Sequence, residues 1–434
     1  MNKQILKLAV PSILANITIP LVGLVDTAIV GHIADATIIG GIAVGTMLFD
    51  LLYWNFGFLR VGTSGMTAQA FGRGDEKECA TLLAQGLTIS AFATILIWLI
   101  QWLFVTAALA CVPCSDDVAA FARSYFFVRI WAAPATLALM ALKGWFIGMQ
   151  DTVSPMACDI VVNVVNMVAS YVLAVYTPLG AIGVAYGTVI AQFTGLLLAA
   201  IILFAKYGKF LAIWKSAELH VFRSLGRLMR LNTSLFIRSL CFMVVYVGFT
   251  AIAGSYGDVQ LAVSSILMKL FMLFSYFVDG FAYAGEALVG KCIGEGADEN
   301  KLGKVVKILF NWSIGVGVIF TLVYAFWGID CVRLMTDDDS VLQAVTPFLG
   351  WLIAMPVVST SAFMWDGIYV GATAGKEIRN AMIWAAVGFV AGYAALYYWL
   401  GIQALYIAYF IHLVARVAYL TLLWQSVQKE KIYE

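Results

Sequence analysis

The sequence predicts an all-α integral membrane protein with twelve transmembrane helices, arranged as two pseudo-symmetric six-helix bundles. Three observations predict this fold. Hydrophobic residues make up 62% of the 434 residues and charged residues only 12%, whereas about a quarter of the residues in a soluble domain are charged. Twelve apolar stretches are long enough to cross a bilayer, and the second half of the chain repeats the first.

The internal repeat is visible when the chain is aligned with itself, with Thr27 placed on Thr250. Other pairs are Gly57-Phe58 with Gly280-Phe281, Gly144 and Gly148 with Gly367 and Gly371, Asp75-Glu76 with Asp298-Glu299, and, after a one-residue slip, Pro134 with Pro356. Matches spread over most of each half rarely arise by chance. A repeat this long in an apolar chain indicates a transporter with two membrane lobes.

The apolar stretches give six spans to each half. They lie near 8–33, 37–70, 80–110, 119–147, 154–176, 181–205, 229–254, 259–290, 303–328, 342–371, 378–399 and 402–425. An even number of crossings per half gives both halves the same orientation, so the repeats are parallel. We predict an N-terminal six-helix lobe (1–205), a cytoplasmic interfacial linker (206–228) and a C-terminal six-helix lobe (229–434).

Lys and Arg concentrate at alternate connections, including the linker, whereas the opposite loops contain just Arg333. Because positively charged loops stay in the cytoplasm, we predict that both termini are cytoplasmic. We expect a multi-pass protein of the bacterial inner membrane that acts as a monomer. In an outer loop, Cys111 and Cys114 form either a local disulfide or two free thiols.

Several function classes are excluded by what the sequence lacks. A net charge of +1, without a continuous basic face, excludes a nucleic-acid partner. Three dispersed histidines offer no zinc spacing, and no nucleophile motif or phosphate-binding glycine loop occurs. We therefore expect that the protein is not an enzyme and binds no cofactor, and that an ion gradient supplies the energy for transport.

We single out five of the carboxylates inside predicted spans, where an acid costs several kcal/mol unless it is paired, protonated or faces water. They are Asp26, Asp50, Asp279, Glu286 and Asp366. Asp26 follows Pro20, which weakens the helix and is a candidate hinge. An acid beside a hinge can take up a proton outside and release it inside, so we predict that Asp26 couples transport to an ion.

The other acids have two interpretations. Asp279 and Glu286 are two helical turns apart and share one face, and together with Asp366 they are candidates for a second coupling or substrate site. Fixed ion pairs with Arg60, Arg238 or Lys269 are the alternative, which we favour for Asp50. The three C-terminal acids outnumber the two cations nearest in sequence, which favours function.

Aromatic residues lie beside these acids and predict a cavity for a lipophilic cation, since a cation binds both to carboxylates and to ring faces. The alternative is ordinary packing against lipid or core. The candidates are Tyr53, Trp54, Tyr276, Phe281, Tyr283 and Trp365.

Four blocks of sequence resemble the multidrug and toxic compound extrusion (MATE) family, in its DNA-damage-inducible-F-like branch. They are Val25-Asp26-Thr27-Ala28, Asn55-Phe56-Gly57-Phe58-Leu59-Arg60-Val61-Gly62-Thr63, Asp279-Gly280-Phe281-Ala282-Tyr283-Ala284-Gly285-Glu286-Ala287 and Asp366-Gly367-Ile368-Tyr369-Val370-Gly371-Ala372. The resemblance implies a twelve-helix exporter that alternates between inward and outward openings and exchanges organic cations for H⁺ or Na⁺.

The resemblance also implies roles for particular residues. Asp26 matches the coupling acid of helix one, and Asn166 and Thr188 match polar residues that accompany it, so Na⁺ near Asp26 is one expectation. Many members have an aspartate where this chain has Ser170, which leaves open which lobe couples. A flippase for a lipid-linked precursor shares the architecture and is the alternative function, although it should line its cavity with several cations.

Overall fold

The computed structural model is helical throughout and describes residues 1–33, 36–112, 114–216, 221–336 and 338–433. Within these residues lie fifteen α-helices and three short 3₁₀ helices. The α-helices are α1 (Asn2–Ile33), α2 (Ala36–Trp54), α3 (Phe58–Arg73), α4 (Glu76–Cys111), α5 (Asp116–Arg129), α6 (Ala133–Gly148), α7 (Val153–Tyr176), α8 (Gly183–Ser216), α9 (Val221–Ser255), α10 (Asp258–Gly294), α11 (Glu299–Arg333), α12 (Asp339–Val345), α13 (Leu349–Gly371), α14 (Gly375–Leu400) and α15 (Gln403–Tyr433).

Twelve helical segments of the described chain are long and apolar enough to cross a membrane, which confirms the predicted number of spans. Three spans consist of two helices each, namely α2 with α3, α5 with α6, and α12 with α13. The predicted span 37–70 is therefore interrupted, by a turn at residues 55–57. Asn55 Nδ2 donates to the Leu51 carbonyl at 2.7 Å, and such side-chain bonds compete with the helical ladder.

The described chain divides into two compact units. The N-terminal unit comprises Leu14–Phe71 and Asp75–Leu228, and the C-terminal unit comprises Met1–Ile13, Gly72–Gly74 and Met229–Glu434. The predicted boundaries of the lobes and linker stay predictions. Residues 217–220 of the linker and the side chain of Cys111 lie outside the described residues, whereas Cys114 is a free thiol.

The repeat detected in the sequence appears as repeated backbone geometry. Asp75 caps α4 by accepting from the Glu78 amide at 2.9 Å, and Asp298 caps α11 by accepting from the Lys301 amide at 2.9 Å. An aspartate at this position satisfies an amide that the helix leaves unpaired. The matched acids of the two halves are therefore helix caps.

Close helix packing is repeated as well. A Cβ at Gly144 would clash with the backbone of Arg60, and a Cβ at Gly367 would clash with the backbone of Ala282. In each unit the fourth span therefore packs directly on the backbone of the second, α6 on α3 and α13 on α10. Small residues allow this approach between membrane helices.

Candidate functional site

Asp26 lies on α1, six residues after Pro20. Its side chain is half-buried, and its Oδ1 atom is buried without a hydrogen-bond partner. The helix continues through Pro20 in this structure, although proline has no N–H to donate to the preceding turn. The hinge at Pro20 stays a prediction.

The polar residues that were expected to accompany Asp26 lie on α7 and α8. Asn166 Nδ2 donates to Thr188 Oγ1 at 3.0 Å, and Thr188 Oγ1 donates to the Val184 carbonyl at 3.1 Å. Ser170 is one turn beyond Asn166 on α7 and lies close to the Asp26 carboxyl. The structure therefore brings Asp26 to the α7 face that carries Asn166 and Ser170, with Thr188 hydrogen-bonded to Asn166.

Three oxygen atoms of this group have no hydrogen-bond partner. They are Asp26 Oδ1, Asn166 Oδ1 and Ser170 Oγ, all of them buried. A buried oxygen without a donor is costly, and carboxylate, amide and hydroxyl oxygens suit either a proton or a hard cation. The N-terminal unit thus contains three buried oxygens whose hydrogen-bonding capacity is not used within the described residues.

Arg129 is a charged member of this site that the sequence analysis missed. It lies at the end of α5, donates from Nη1 to Tyr125 Oη at 3.2 Å, and stands 4.8 Å from the centroid of the Phe49 ring. Its charge acts on both Asp26 and Asp50. The available signal was a basic residue inside the predicted span 119–147, where a cation is as costly as a carboxylate.

In the C-terminal unit, Asp366 forms ion pairs with two arginines. Its Oδ2 atom accepts from Arg238 on α9 and from Arg416 on α15. Arg416 is 50 positions from Asp366 in sequence but contacts it in the fold, so it adds a third cation to the two that are nearest in sequence to the C-terminal acids. The alternative of a fixed ion pair is thus realised for Asp366 in this structure, and a coupling or substrate role for this acid stays a prediction.

Asp279 and Glu286 lie two turns apart on α10, as predicted. Asp279 is half-buried and Glu286 is buried, and each takes part in a polar or electrostatic interaction. Beside Glu286, a Cβ at Gly371 would come within 2.7 Å of the glutamate carbonyl oxygen. Glu286 therefore stands where α10 and α13 pack closely together.

The predicted cavity aromatics have different environments. Trp54 is exposed, whereas Tyr53, Tyr276 and Tyr283 are half-buried. The Tyr53 hydroxyl is buried without a hydrogen-bond partner. Tyr53 therefore retains a polar atom that a ligand could satisfy, while contact of these four side chains with substrate stays a prediction.

Phe281 and Trp365 pack within the C-terminal unit. Phe281 stacks on Trp312 with ring centroids 6.2 Å apart. Trp365 donates from Nε1 to Thr421 Oγ1 at 2.8 Å and packs on Trp424. These contacts correspond to the packing alternative for both residues.

Comparisons with known proteins identify the family. The MatE family model matches residues 11–172 and 235–399. DNA damage-inducible protein F of Escherichia coli is 34% identical over 428 residues, which cover 98% of this chain and 92% of that protein. Multidrug and toxin extrusion protein 1 of Danio rerio is 23% identical over 94% of this chain and 69% of its own length.

A solved structure shares the fold. An outward-facing multidrug resistance MATE family transporter superimposes with a TM-score of 0.89 at 16% identity, covering 100% of this chain and 97% of that chain. Within the described residues, no group of three or more His, Cys, Asp or Glu side chains could hold a metal ion. The match to the family model and the 34% identity to the Escherichia coli protein show that the chain belongs to the MatE family, in the branch of DNA damage-inducible protein F, and is a membrane transporter.

Proposed function

We propose that this protein is a secondary active exporter of lipophilic organic cations, driven by a gradient of protons or sodium ions through alternating access. The observation that carries this proposal is the buried Oδ1 atom of Asp26, which has no hydrogen-bond partner. A carboxyl at membrane depth is expensive unless a proton or a cation occupies it. A change in its occupancy can therefore favour one conformation over another.

The oxygens of Asn166 and Ser170 support the same assignment, because they add acceptors without adding charge. A proton or Na⁺ would be held by the Asp26 carboxyl, with the Asn166 amide and Ser170 hydroxyl oxygens beside it. Exchange of one proton or Na⁺ for one monovalent organic cation moves no net charge, so the concentration gradient of the ion would drive it. One carboxyl that loads on one side and unloads on the other is enough to drive export.

The substrate class follows from charge and from the relatives. Asp26 and Asp50 are two carboxyls that both lie near the guanidinium of Arg129, and a carboxylate attracts an organic cation. The zebrafish relative is named for multidrug and toxin extrusion. We propose the same class of cargo here, carried by a monomer whose termini both lie in the cytoplasm.

The experiment is ethidium transport in proteoliposomes under proton and sodium gradients imposed separately. We expect one gradient to drive ethidium against its concentration difference, and Asp26→Asn to abolish that movement. The control is Asp330→Asn, since Asp330 is exposed at the end of α11, where its pair with Arg333 at 3.5 Å is also exposed. The control should transport at the parental rate.

Two outcomes would contradict the proposal. If Asp26→Asn transports ethidium at the parental rate and remains folded, the coupling role of Asp26 is wrong. If neither gradient drives any cationic dye while a fluorescent lipid-linked precursor moves between leaflets, the flippase is the correct function.

A further inference from the structure

One face of α7 carries a row of polar side chains, which we call the α7 track. Its members are Asp159, Asn163, Asn166 and Ser170. Their spacing of four, three and four residues places all of them on the same side of the helix. At a rise of 1.5 Å per residue the track is about 16 Å long, which is about half the thickness of the hydrocarbon core. It therefore leads from the neighbourhood of Asp26 toward the beginning of α7.

The two members of the track farthest from Asp26 bond to other helices of the N-terminal unit. Asp159 forms an ion pair with Lys143 on α6. One turn further along α7, Asn163 Nδ2 donates to Thr18 Oγ1 on α1. Both Asp159 and Asn163 are half-buried. The polar face of α7 therefore continues beyond the residues that surround Asp26.

The two members nearest Asp26 have acceptor atoms without a donor. Asn166 is 4% exposed and Ser170 is 0% exposed, and neither Asn166 Oδ1 nor Ser170 Oγ has a hydrogen-bond partner. Such oxygens are costly in an apolar interior unless water or a cation satisfies them. Polar groups that follow one another at this depth are typical of ion pathways. The track can thus solvate an ion at successive turns of α7.

The C-terminal unit shows that packing does not require this row. The matching positions on α14 are Met382, Ala386, Phe389 and Tyr393, of which three are apolar. Met382 and Phe389 are buried, and the Tyr393 hydroxyl is hydrogen-bonded to the Tyr256 hydroxyl at 3.1 Å. The fifth span nevertheless packs on the sixth in both units, α7 on α8 and α14 on α15. The polar row therefore belongs only to the copy that carries Asp26.

We propose that the α7 track is the release path of the coupling ion, leading from Asp26 to the end of α7 that our predicted orientation places toward the cytoplasm. Asp159 is the carboxylate at the exit. Its pair with Lys143 balances its charge, so the exit holds the ion weakly, as a conducting path requires. This proposal rests on the transport function proposed above.

The test is gradient-driven ethidium transport by Asn163→Leu in proteoliposomes. This change places an apolar side chain of similar size in the middle of the track. We expect the maximal rate to fall about tenfold, because a polar group that solvates the ion is lost. The dissociation constant of ethidium in non-ionic detergent should not change, since Asp26 is intact. Val168→Leu, at a position of α7 that is 59% exposed, is the matched control and should transport at the parental rate.

A second pair of variants keeps the proposal testable if Asn163→Leu does not fold. Asn163→Ala and Asn163→Ser differ by one hydroxyl group and add no volume. We expect the serine variant to transport about threefold faster than the alanine variant, because only serine keeps a polar group in the track. Equal rates for these two variants, or a parental rate in folded Asn163→Leu, would overturn the release path.

Thr18→Val tests whether Asn163 only anchors α1. It removes the same hydrogen bond but leaves the Asn163 amide in the track, so we expect a rate close to the parental one. If Thr18→Val slows transport as much as Asn163→Leu does, the hydrogen bond is the role of Asn163 and the release path is wrong. A parental protein that moves no ethidium would instead refute the transport function, so the two failures are distinct.

Discussion

The two units have opposite ratios of buried acids to buried arginines at their candidate sites. In the N-terminal unit one guanidinium, Arg129, acts on two carboxylates, Asp26 and Asp50. In the C-terminal unit one carboxylate, Asp366, is shared by two guanidiniums. The first arrangement leaves Asp26 Oδ1 without a hydrogen-bond partner, whereas in the second Asp366 is held in two ion pairs.

The backbone turn after the fourth span, by contrast, is alike in both units. Gln150 and Thr373, which match in the repeat, both have positive φ, at 62° and 54°. Each ends the fourth span of its unit, and the following amides bond back to the helix in the same way, Asp151 to Phe146 and Ala374 to Tyr369, both at 2.9 Å. The repeat therefore keeps this turn in both copies, while the buried charges of the two copies differ.

The strongest test of this contrast compares Asp366→Asn with Asp26→Asn. Asp366→Asn leaves two guanidiniums at membrane depth without their carboxylate, and breaking a buried pair costs about 3–5 kcal/mol. Asp26 has no contact ion pair within the described residues, so its replacement should cost less than about 1 kcal/mol. The measurement is the melting temperature of each purified variant in non-ionic detergent.

The exposed pair of Asp330 with Arg333 provides the control, because an exposed ion pair contributes about 0–1 kcal/mol. Asp330→Asn should therefore melt close to the parental temperature. If Asp26→Asn and Asp366→Asn lower the melting temperature equally, the two units do not differ in this respect, and Asp26 is also held by a permanent partner.

Much of the fold could be predicted from the sequence, because the signals are long. Twenty apolar residues specify a span wherever they occur, and duplicated pairs such as Asp75 and Asp298 specify where the helices begin. The break at residues 55–57 was missed because no proline marks it and the stretch from 37 to 70 is apolar. The hydrogen bond from the Asn55 side chain to the Leu51 carbonyl accompanies the break, but a hydropathy profile does not detect such a bond.

The residues of the candidate sites could be predicted only in part. Asp26, Asn166 and Thr188 follow from sequence motifs, but the two arginines of Asp366 lie 128 and 50 positions away from it. Sequence distance gives no guide to which helices of a bundle touch. Both Arg129 and Arg416 lie inside predicted spans, where a cation is as costly as an acid, so the sequence does mark both residues as candidates.

A smaller effect should come from the packing that the units share. Gly144→Ala and Gly367→Ala each place a methyl group against the backbone of the neighbouring helix, and overpacking of this kind costs about 1–3 kcal/mol. Gly303→Ala is the matched control, since nothing lies within 4 Å of its added Cβ in α11. We expect Gly144→Ala and Gly367→Ala to melt at a lower temperature than Gly303→Ala. If only one of the two lowers the melting temperature, the packing of the two units is not equivalent.

The smallest effect concerns a position where the units differ outside the membrane. Asp151 accepts from Lys206 Nζ at 2.7 Å and from Tyr207 Oη at 2.9 Å, whereas the matching residue in the C-terminal unit is Ala374. Burial raises the pKa of Asp151, but the hydrogen bonds from Lys206, Ser154 and Tyr207 outweigh it and hold the pKa below its usual value. Asp151→Asn should cost about 1–2 kcal/mol.

The sign of the pH dependence follows from that lowered pKa. The carboxylate stabilises the fold at every pH above its unfolded pKa of about 3.9, and this contribution is lost as the pH falls through the lower folded value. The difference in melting temperature between the parental protein and Asp151→Asn should thus be constant from about pH 5 to pH 8 and shrink below about pH 4. Asp117→Asn, an exposed acid in the first turn of α5, serves as the control. If the difference in melting temperature does not shrink at low pH, Asp151 stabilises its turn through packing. Protonation of the Asp151 carboxylate weakens its charged bond with Lys206 but does not change packing.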